Sequence, residues 1–149
     1  MVIVNEKQYL SEFIQLNEAW ITHYFKLEDA DIALANNPAR IIEDGGYIFS
    51  FVENGHVVGV CALFKDDDAV FQLARMAVKK ECQGKGYGEA LLSAAIAKLR
   101  EIKASRVYLL SNTLLIPAIN LYKKYGFTVF SRGQHPVYAR CDIVMEKFL

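Results

Sequence analysis

Apolar residues change their spacing along this chain, and each change marks a change of predicted structure. After a short apolar start at Val2 to Val4, Phe13, Ile14, Leu16 and Ile21 recur at helical spacing, which predicts a helix over about 6–25. The stretch LEDADIALANNPARIIEDGG carries a turn at Asn36, Asn37 and Pro38, then a short helical piece that Gly45 and Gly46 stop. The pattern then becomes extended. YIFSFVE (Tyr47 to Glu53) and HVVGVCALFK (His56 to Lys65) are β-branched and aromatic runs joined by Asn54-Gly55, a pair suited to a hairpin because both positions tolerate positive φ. An acidic turn at Asp66, Asp67 and Asp68 leads into a third strand, VFQLARMAV, completing a predicted antiparallel meander from Tyr47 to Val78.

From Gly86 the helical period returns, with Leu92, Ala95, Ile96, Leu99 and Ile102 on one face. RVYLLS (Arg106 to Ser111) reads as a strand. Pro117 suits a first helical turn, Ala118, Leu121, Tyr122 and Tyr125 share a face, and Gly126 ends the helix. FTVF and IVMEKFL supply two closing strands, the last of them placed as an exposed edge able to pair with a second copy. The chain therefore reads as a single α+β domain over residues 1–149, a mixed sheet whose middle runs strand, glycine loop, helix and strand as a crossover unit.

The loop in that crossover is ECQGKGYGE (Glu81 to Glu89). Alternate glycines ahead of a helix expose backbone N–H groups at the positive end of the helix dipole, an arrangement suited to phosphate. A nucleoside-triphosphate loop needs a hydroxyl residue after its lysine, and Lys85 is followed by Gly86. A dinucleotide loop needs GxGxxG, and Glu89 stands where its third glycine belongs. What remains is a metal-free pyrophosphate site at a helix N-terminus.

Composition narrows the partners. Seventeen basic and seventeen acidic residues balance, so no net field draws the protein to nucleic acid or to an anionic membrane. Cys61, Cys82 and Cys141 lack metal or disulfide spacing and read as small buried or half-buried residues. The N-terminus has no signal-peptide pattern and no segment is apolar over a membrane span, which gives a cytoplasmic expectation. No Gly-x-Ser-x-Gly elbow or nucleophilic cysteine signature is present.

MAVKKECQGKGYGEALL, followed some thirty residues later by PAINLYKKYGF, resembles the coenzyme A signature and second motif of the GNAT N-acetyltransferase superfamily. Gln83, Gly86 and Gly88 match the family's loop pattern, and the likeness runs from about Val70 to Phe127. More loosely, LNEAWITHYFKLEDAD and GGYIFSF resemble a bacterial subgroup that includes acetyltransferase domains fused to MarR-type regulators. The resemblance implies a mostly antiparallel sheet with a splayed parallel strand pair, VFQLARMAV and RVYLLS, holding acetyl-CoA as cosubstrate without a metal.

On that resemblance, the backbone of Met76, Ala77 and Val78 pairs with the pantetheine arm, an N–H there supporting the thioester oxygen. Gln83, Gly84, Lys85, Gly86, Tyr87, Gly88 and Glu89 hold the pyrophosphate end, and Asn112 is a further coenzyme contact. Tyr122 falls at the family's tyrosine, facing the departing sulfur. The implied reaction is direct acetyl transfer to a primary amine of a small molecule or a polypeptide, by a monomer or homodimer. Where relatives carry a glutamate base, this chain has Leu110 or Gln72, so Glu28, Asp31 and Glu43 become candidate bases, or a water chain takes that part. The missing base also motivates an alternative, a non-catalytic acyl-CoA binding or sensing module. Trp20, Tyr24, Phe25 and Tyr47 are candidate pocket aromatics, Glu28, Asp29 and Asp31 hint at a cationic acceptor, and His135 marks a late loop expected near the acceptor.

Overall fold

In a computed structural model describing residues 1–149, the meander, crossover and closing strands form one seven-stranded sheet. Strands β1 (Val2–Val4), β2 (Tyr47–Glu53), β3 (His56–Lys65), β4 (Val70–Val78), β5 (Arg106–Ser111), β6 (Thr128–Arg132) and β7 (Ile143–Phe148) lie in the order β1-β2-β3-β4-β5-β7-β6. Only β4 and β5 run parallel. Asn54 and Gly55 both take positive φ (51° and 77°), the conformation that closes a tight hairpin without splaying its strands. Strand β7 pairs with β5 on one side and β6 on the other, so the final strand is interior and the open edges are β1 and β6. The expectation of an exposed IVMEKFL edge is corrected: the late loop carries the chain back into the sheet, leaving the five exposed residues of β6 outside.

Two helical layers cover the sheet. On one face α4 (Tyr87–Glu101) and α5 (Ile116–Lys124) close a core in which Leu91, Leu92 and Leu99 meet Phe49, Cys61, Leu63 and Leu109. On the other face α1 (Leu10–Tyr24) lays Phe13 against Val60, Ala62 and Ala77. Helices α2 (Asp29–Asn36) and α3 (Arg40–Glu43) follow α1. Helix α2 has no counterpart in the sequence-based expectation, because DADIALAN offers too few large apolar residues to show a buried stripe.

Two irregularities shape the middle of the sheet. Pairing of β4 with β5 stops at Leu73 opposite Leu109, so Ala74 to Val78 have no partner on that side. Opposite them the β3 register shifts between Val60 and Ala62, and Arg75 adopts φ 60°, the mark of a bulge that bends β4 away from β5. A wedge opens where the chain would otherwise continue its ladder.

Candidate active site

The wedge is the mouth of a cavity of about 440 Å³ lined mainly by hydrophobic residues. One wall consists of β4 from Leu73 to Val78, the loop residues Gln83 and Gly84, the end of β5, and Pro117, Ala118, Leu121 and Tyr122 of α5. Met76, Ala77 and Val78 thus present the unpaired β4 edge to the cavity.

Beyond that wall lies the glycine loop. Gly84 and Gly86 take φ 79° and 84°, and an added Cβ at either would meet no protein atom within 4 Å. The space above the loop is open. Gly86 caps α4 with no side-chain bond, and the N–H groups of Gly84, Lys85, Gly86, Tyr87, Gly88 and Glu89 donate to no protein acceptor. A run of unspent donors at a helix N-terminus fits a pyrophosphate and needs no metal.

The side chains of this loop mostly turn elsewhere. Tyr87 stacks on Phe51 at 4.6 Å between centroids and donates to Glu53 at 2.6 Å, fastening the start of α4 to β2. That hydrogen bond to a carboxylate pushes the Tyr87 phenol up to about 12. Glu89 accepts from Lys124 Nζ and Tyr125 Oη, both at 2.7 Å, tying α4 to α5. Gln83 reaches back to the Val78 carbonyl through a long 3.4 Å bond, and Lys85 is exposed without a partner. Tyr87 and Glu89 therefore offer backbone rather than side-chain contacts to a ligand.

Tyr122 is 8% exposed, and its ring packs against Phe127 at 5.9 Å. Its hydroxyl has no protein partner, yet no fully enclosed side-chain polar atom in the molecule lacks one, so this oxygen lies on the cavity surface. Burial, with the nearby Cys61 sulfur adding to it, raises the phenol to about 12 and keeps it protonated. Ser111, at the end of β5, likewise brings an unpartnered hydroxyl to the wall. Asn112 also lines the cavity, but both ends of its amide are engaged: Nδ2 donates to the Arg140 carbonyl at 2.7 Å and Oδ1 accepts from the Leu114 N–H at 2.9 Å. Its side chain joins the strand end to the late loop.

The opposite wall is made by side chains from distant segments: Asn17, Trp20 and Phe25 from α1 and its end, Phe64 from β3, Gln72 and Arg75 from β4, and Tyr138, Arg140 and Cys141 from the loop before β7. Behind it sits a compact ion cluster. Arg140 grips Asp31 with bonds of 2.6 and 2.7 Å and reaches Glu28 at 3.1 Å, while Arg75 bonds Asp31 at 2.7 Å and the Tyr138 hydroxyl at 2.9 Å. The centroid of the Tyr138 ring is 4.7 Å from the Arg140 guanidinium and 5.7 Å from that of Arg75. His135 Nδ1 accepts the Val137 and Tyr138 N–H groups, shaping the turn that delivers Tyr138.

This cluster corrects the candidate bases. Burial pushes the Asp31 carboxyl up, but the Arg140 bonds, the Glu28 N–H and the charges of Arg75 and Arg140 together hold it below the usual carboxylate value. A carboxylate so committed to two guanidiniums is a poor proton acceptor. Glu28 is bound by Arg140 and the Ala139 N–H, and Glu43 is exposed on α3 away from the cavity. Of the candidate aromatics, Trp20 and Phe25 reach the wall. Tyr24 is 45% exposed and Tyr47 packs on Phe49 and Phe71. Asn17, Arg75, Tyr138 and Arg140 escaped the sequence reading. For Asn17 a signal existed: it interrupts the buried stripe Phe13, Asn17, Ile21 of α1.

Comparison with known proteins agrees with this geometry. Residues 9–127 match the acetyltransferase (GNAT) family. The chain belongs to the GNAT acetyltransferase family. Among curated relatives, it is 27% identical over 103 residues to an uncharacterized N-acetyltransferase, YvbK, of Bacillus subtilis, an alignment covering 66% of each protein. The chain spans 38% to 66% of the length of the curated relatives it matches. The GNAT fold is also shared with a Staphylococcus aureus acetyltransferase (TM-score 0.86, 22% identity, 100% of this chain and 98% of that one). A Salmonella typhimurium acetyltransferase, yncA, described with its cofactor acetyl-CoA, is similar too (TM-score 0.77, 22% identity, 100% and 93%).

Proposed function

We propose that this GNAT chain transfers the acetyl group of acetyl-CoA to a primary amine. The observation that carries the reading is the unpartnered Tyr122 hydroxyl, which opens into the same cavity as the unpaired β4 edge, a cavity that the glycine loop reaches through Gln83 and Gly84. Acetyl-CoA supplies an activated thioester: a nitrogen–carbon bond forms as the carbon–sulfur bond breaks, one proton leaves the nitrogen and one reaches the sulfur. The residues present suit that donor, with loop N–H groups for the pyrophosphate and an open strand edge at Met76 to Val78 for the amide-rich arm. A backbone N–H fixed at the bulge stabilises charge gathering on the thioester oxygen, an effect worth roughly 3 kcal/mol in comparable sites.

Tyr122 acts as a hydrogen-bond donor toward the departing sulfur. With the phenol near 12 and a thiol near ~8.5, complete proton transfer from it would be uphill by about 5 kcal/mol. The hydroxyl therefore steadies the thiolate without surrendering its proton. Gln72 and Leu110 stand where relatives of this kind carry a carboxylate base on the sequence resemblance, and no carboxylate lines the cavity. The amine enters neutral or loses its proton to water held by Gln72. Likeness of the first half to domains fused to MarR-type regulators is a finer part of this proposal and rests on sequence resemblance alone.

The absent carboxylate favours one other reading, a binding module that senses acyl-CoA. Release of coenzyme A measured with a thiol reagent over a broad amine panel separates the two. Amine-dependent release that Tyr122→Phe slows without weakening acetyl-CoA binding supports transfer. Tight acetyl-CoA binding with no amine-dependent release would replace it with the sensing module.

A further inference from the structure

The acceptor-side wall holds groups that the donor site leaves unused. Asn17 is 4% exposed, and its Nδ2 donates to the Phe13 carbonyl at 2.8 Å. A carbonyl only accepts, so this bond fixes the orientation of the amide and turns Oδ1 the other way. Oδ1 receives no bond from the protein, and no fully enclosed side-chain polar atom is left unpartnered, so Oδ1 must open onto the cavity that Asn17 lines.

Arg75 and Arg140 are the only charged residues in the lining, while their counter-charges, Asp31 and Glu28, stand behind the wall. A guanidinium carries five N–H donors. Arg75 makes one bond each to Asp31 and Tyr138, and Arg140 spends its three bonds on Glu28 and Asp31. Neither Nε–H group has a protein partner or is fully enclosed; Arg140 lines this cavity, and Arg75 lines it together with a second cavity beside Arg40 and Asp44. The same wall carries the half-buried rings of Trp20, Phe25, Phe64 and Tyr138.

Resting on the acetyl-transfer reading above, we infer that the acceptor is a primary amine carrying an anionic group on an apolar or aromatic body, an apolar amino acid being the simplest example. Asn17 Oδ1 accepts an N–H of the amine, the anionic group lies against Arg75 and Arg140, and the body fills the aromatic wall. Asp31 and Glu28 balance the guanidinium charges, but the guanidinium N–H groups only donate and so offer an ammonium no acceptor, which selects against polycationic amines. This reverses the weak hint of a cationic acceptor that Glu28, Asp29 and Asp31 gave in sequence: Glu28 and Asp31 face the arginines, and none of the three lines the cavity.

The test uses the wild-type protein and one apolar body: L-phenylalanine, its amide, phenethylamine, and spermidine as the polycation. Rates are measured with acetyl-CoA, and binding of the same compounds to protein saturated with coenzyme A is measured by calorimetry. Phenylalanine is expected to exceed phenethylamine at least tenfold in kcat/KM and in affinity, with spermidine poorest, and Arg140→Lys should narrow that ratio. Turnover in which phenethylamine or spermidine equals or beats phenylalanine overturns the inference while leaving acetyl transfer intact. Absence of turnover with every amine defeats the transfer reading instead, and the calorimetric order then still decides which amine the wall prefers.

Discussion

The two walls of the cavity are built on different physical plans. The proposed donor side is mostly main chain: a strand edge released by a bulge and a run of helix-start N–H groups, with the Tyr122 and Ser111 hydroxyls the unpartnered side-chain groups beside them. The proposed acceptor side is almost wholly side chain, assembled from α1, the β4 bulge and the loop before β7, and braced by an ion cluster reaching back to α2. Backbone sites tolerate wide changes of side chain but few changes of conformation. Side-chain sites behave the other way, so substitutions on the two walls should fail differently.

The largest effect is expected from Asp31→Ala. Asp31 is fully enclosed and meets two guanidiniums, so its removal strands buried charge and should cost about 3–5 kcal/mol in urea unfolding. The pH dependence has a definite sign. Because the Asp31 carboxyl lies below its unfolded value of 3.8, its contribution is complete above that pH and is lost as pH falls through the lower folded value. Acid unfolding of Asp31→Asn should lack that increment.

On the donor side, Tyr122→Phe should lower kcat by roughly 10–100-fold, the scale of one lost charge-assisted bond. Stability and acetyl-CoA affinity should hardly move, which unfolding and equilibrium binding would check. Since the wild-type phenol stays protonated to about 12, no loss of activity from its ionisation is expected near pH 10.

Gly86→Val places a β-branched residue at φ 84°, costing about 1–2 kcal/mol of backbone strain, and sets its side chain in the open space above the loop. Acetyl-CoA affinity should fall by about tenfold or more, while the relative kcat/KM of different amines stays the same. The smallest change is Gly88→Ala, where the added Cβ comes no nearer than 3.9 Å to Val78 and φ is ordinary. Stability should change by about 0.5 kcal/mol or less, and a large loss of affinity would mean that the ligand passes against Gly88.

The same contrast explains what could be read from the sequence. A main-chain site depends on local conformation, and conformation leaves short signatures: alternate glycines before an apolar helix and Pro117 at a helix start on the proposed donor side, and Asn-Gly between strands elsewhere in the sheet. The proposed acceptor wall was not legible in this way, since Asp31, Arg75, Tyr138 and Arg140 are scattered and each reads alone as a solvated charge or a core ring. Helix α2 was missed for the same reason. Its first turn is held by the Asp31 carboxylate on the Glu28 N–H and by arginines far along the chain, not by an apolar stripe. The interior place of β7 depends on the path of that same late loop, which carries no periodic signal.

The donor wall can be tested at its own atoms. In the ligand-free protein the amides of Gly84 to Glu89 donate to no protein acceptor and should exchange hydrogen rapidly. Hydrogen exchange resolved to single residues, with and without saturating acetyl-CoA, reads them directly. Slowing of at least tenfold is expected over Gly84–Glu89 together with Ala74–Val78, with little change in α2. Unchanged exchange over Gly84–Glu89 in the presence of bound acetyl-CoA would contradict this expectation.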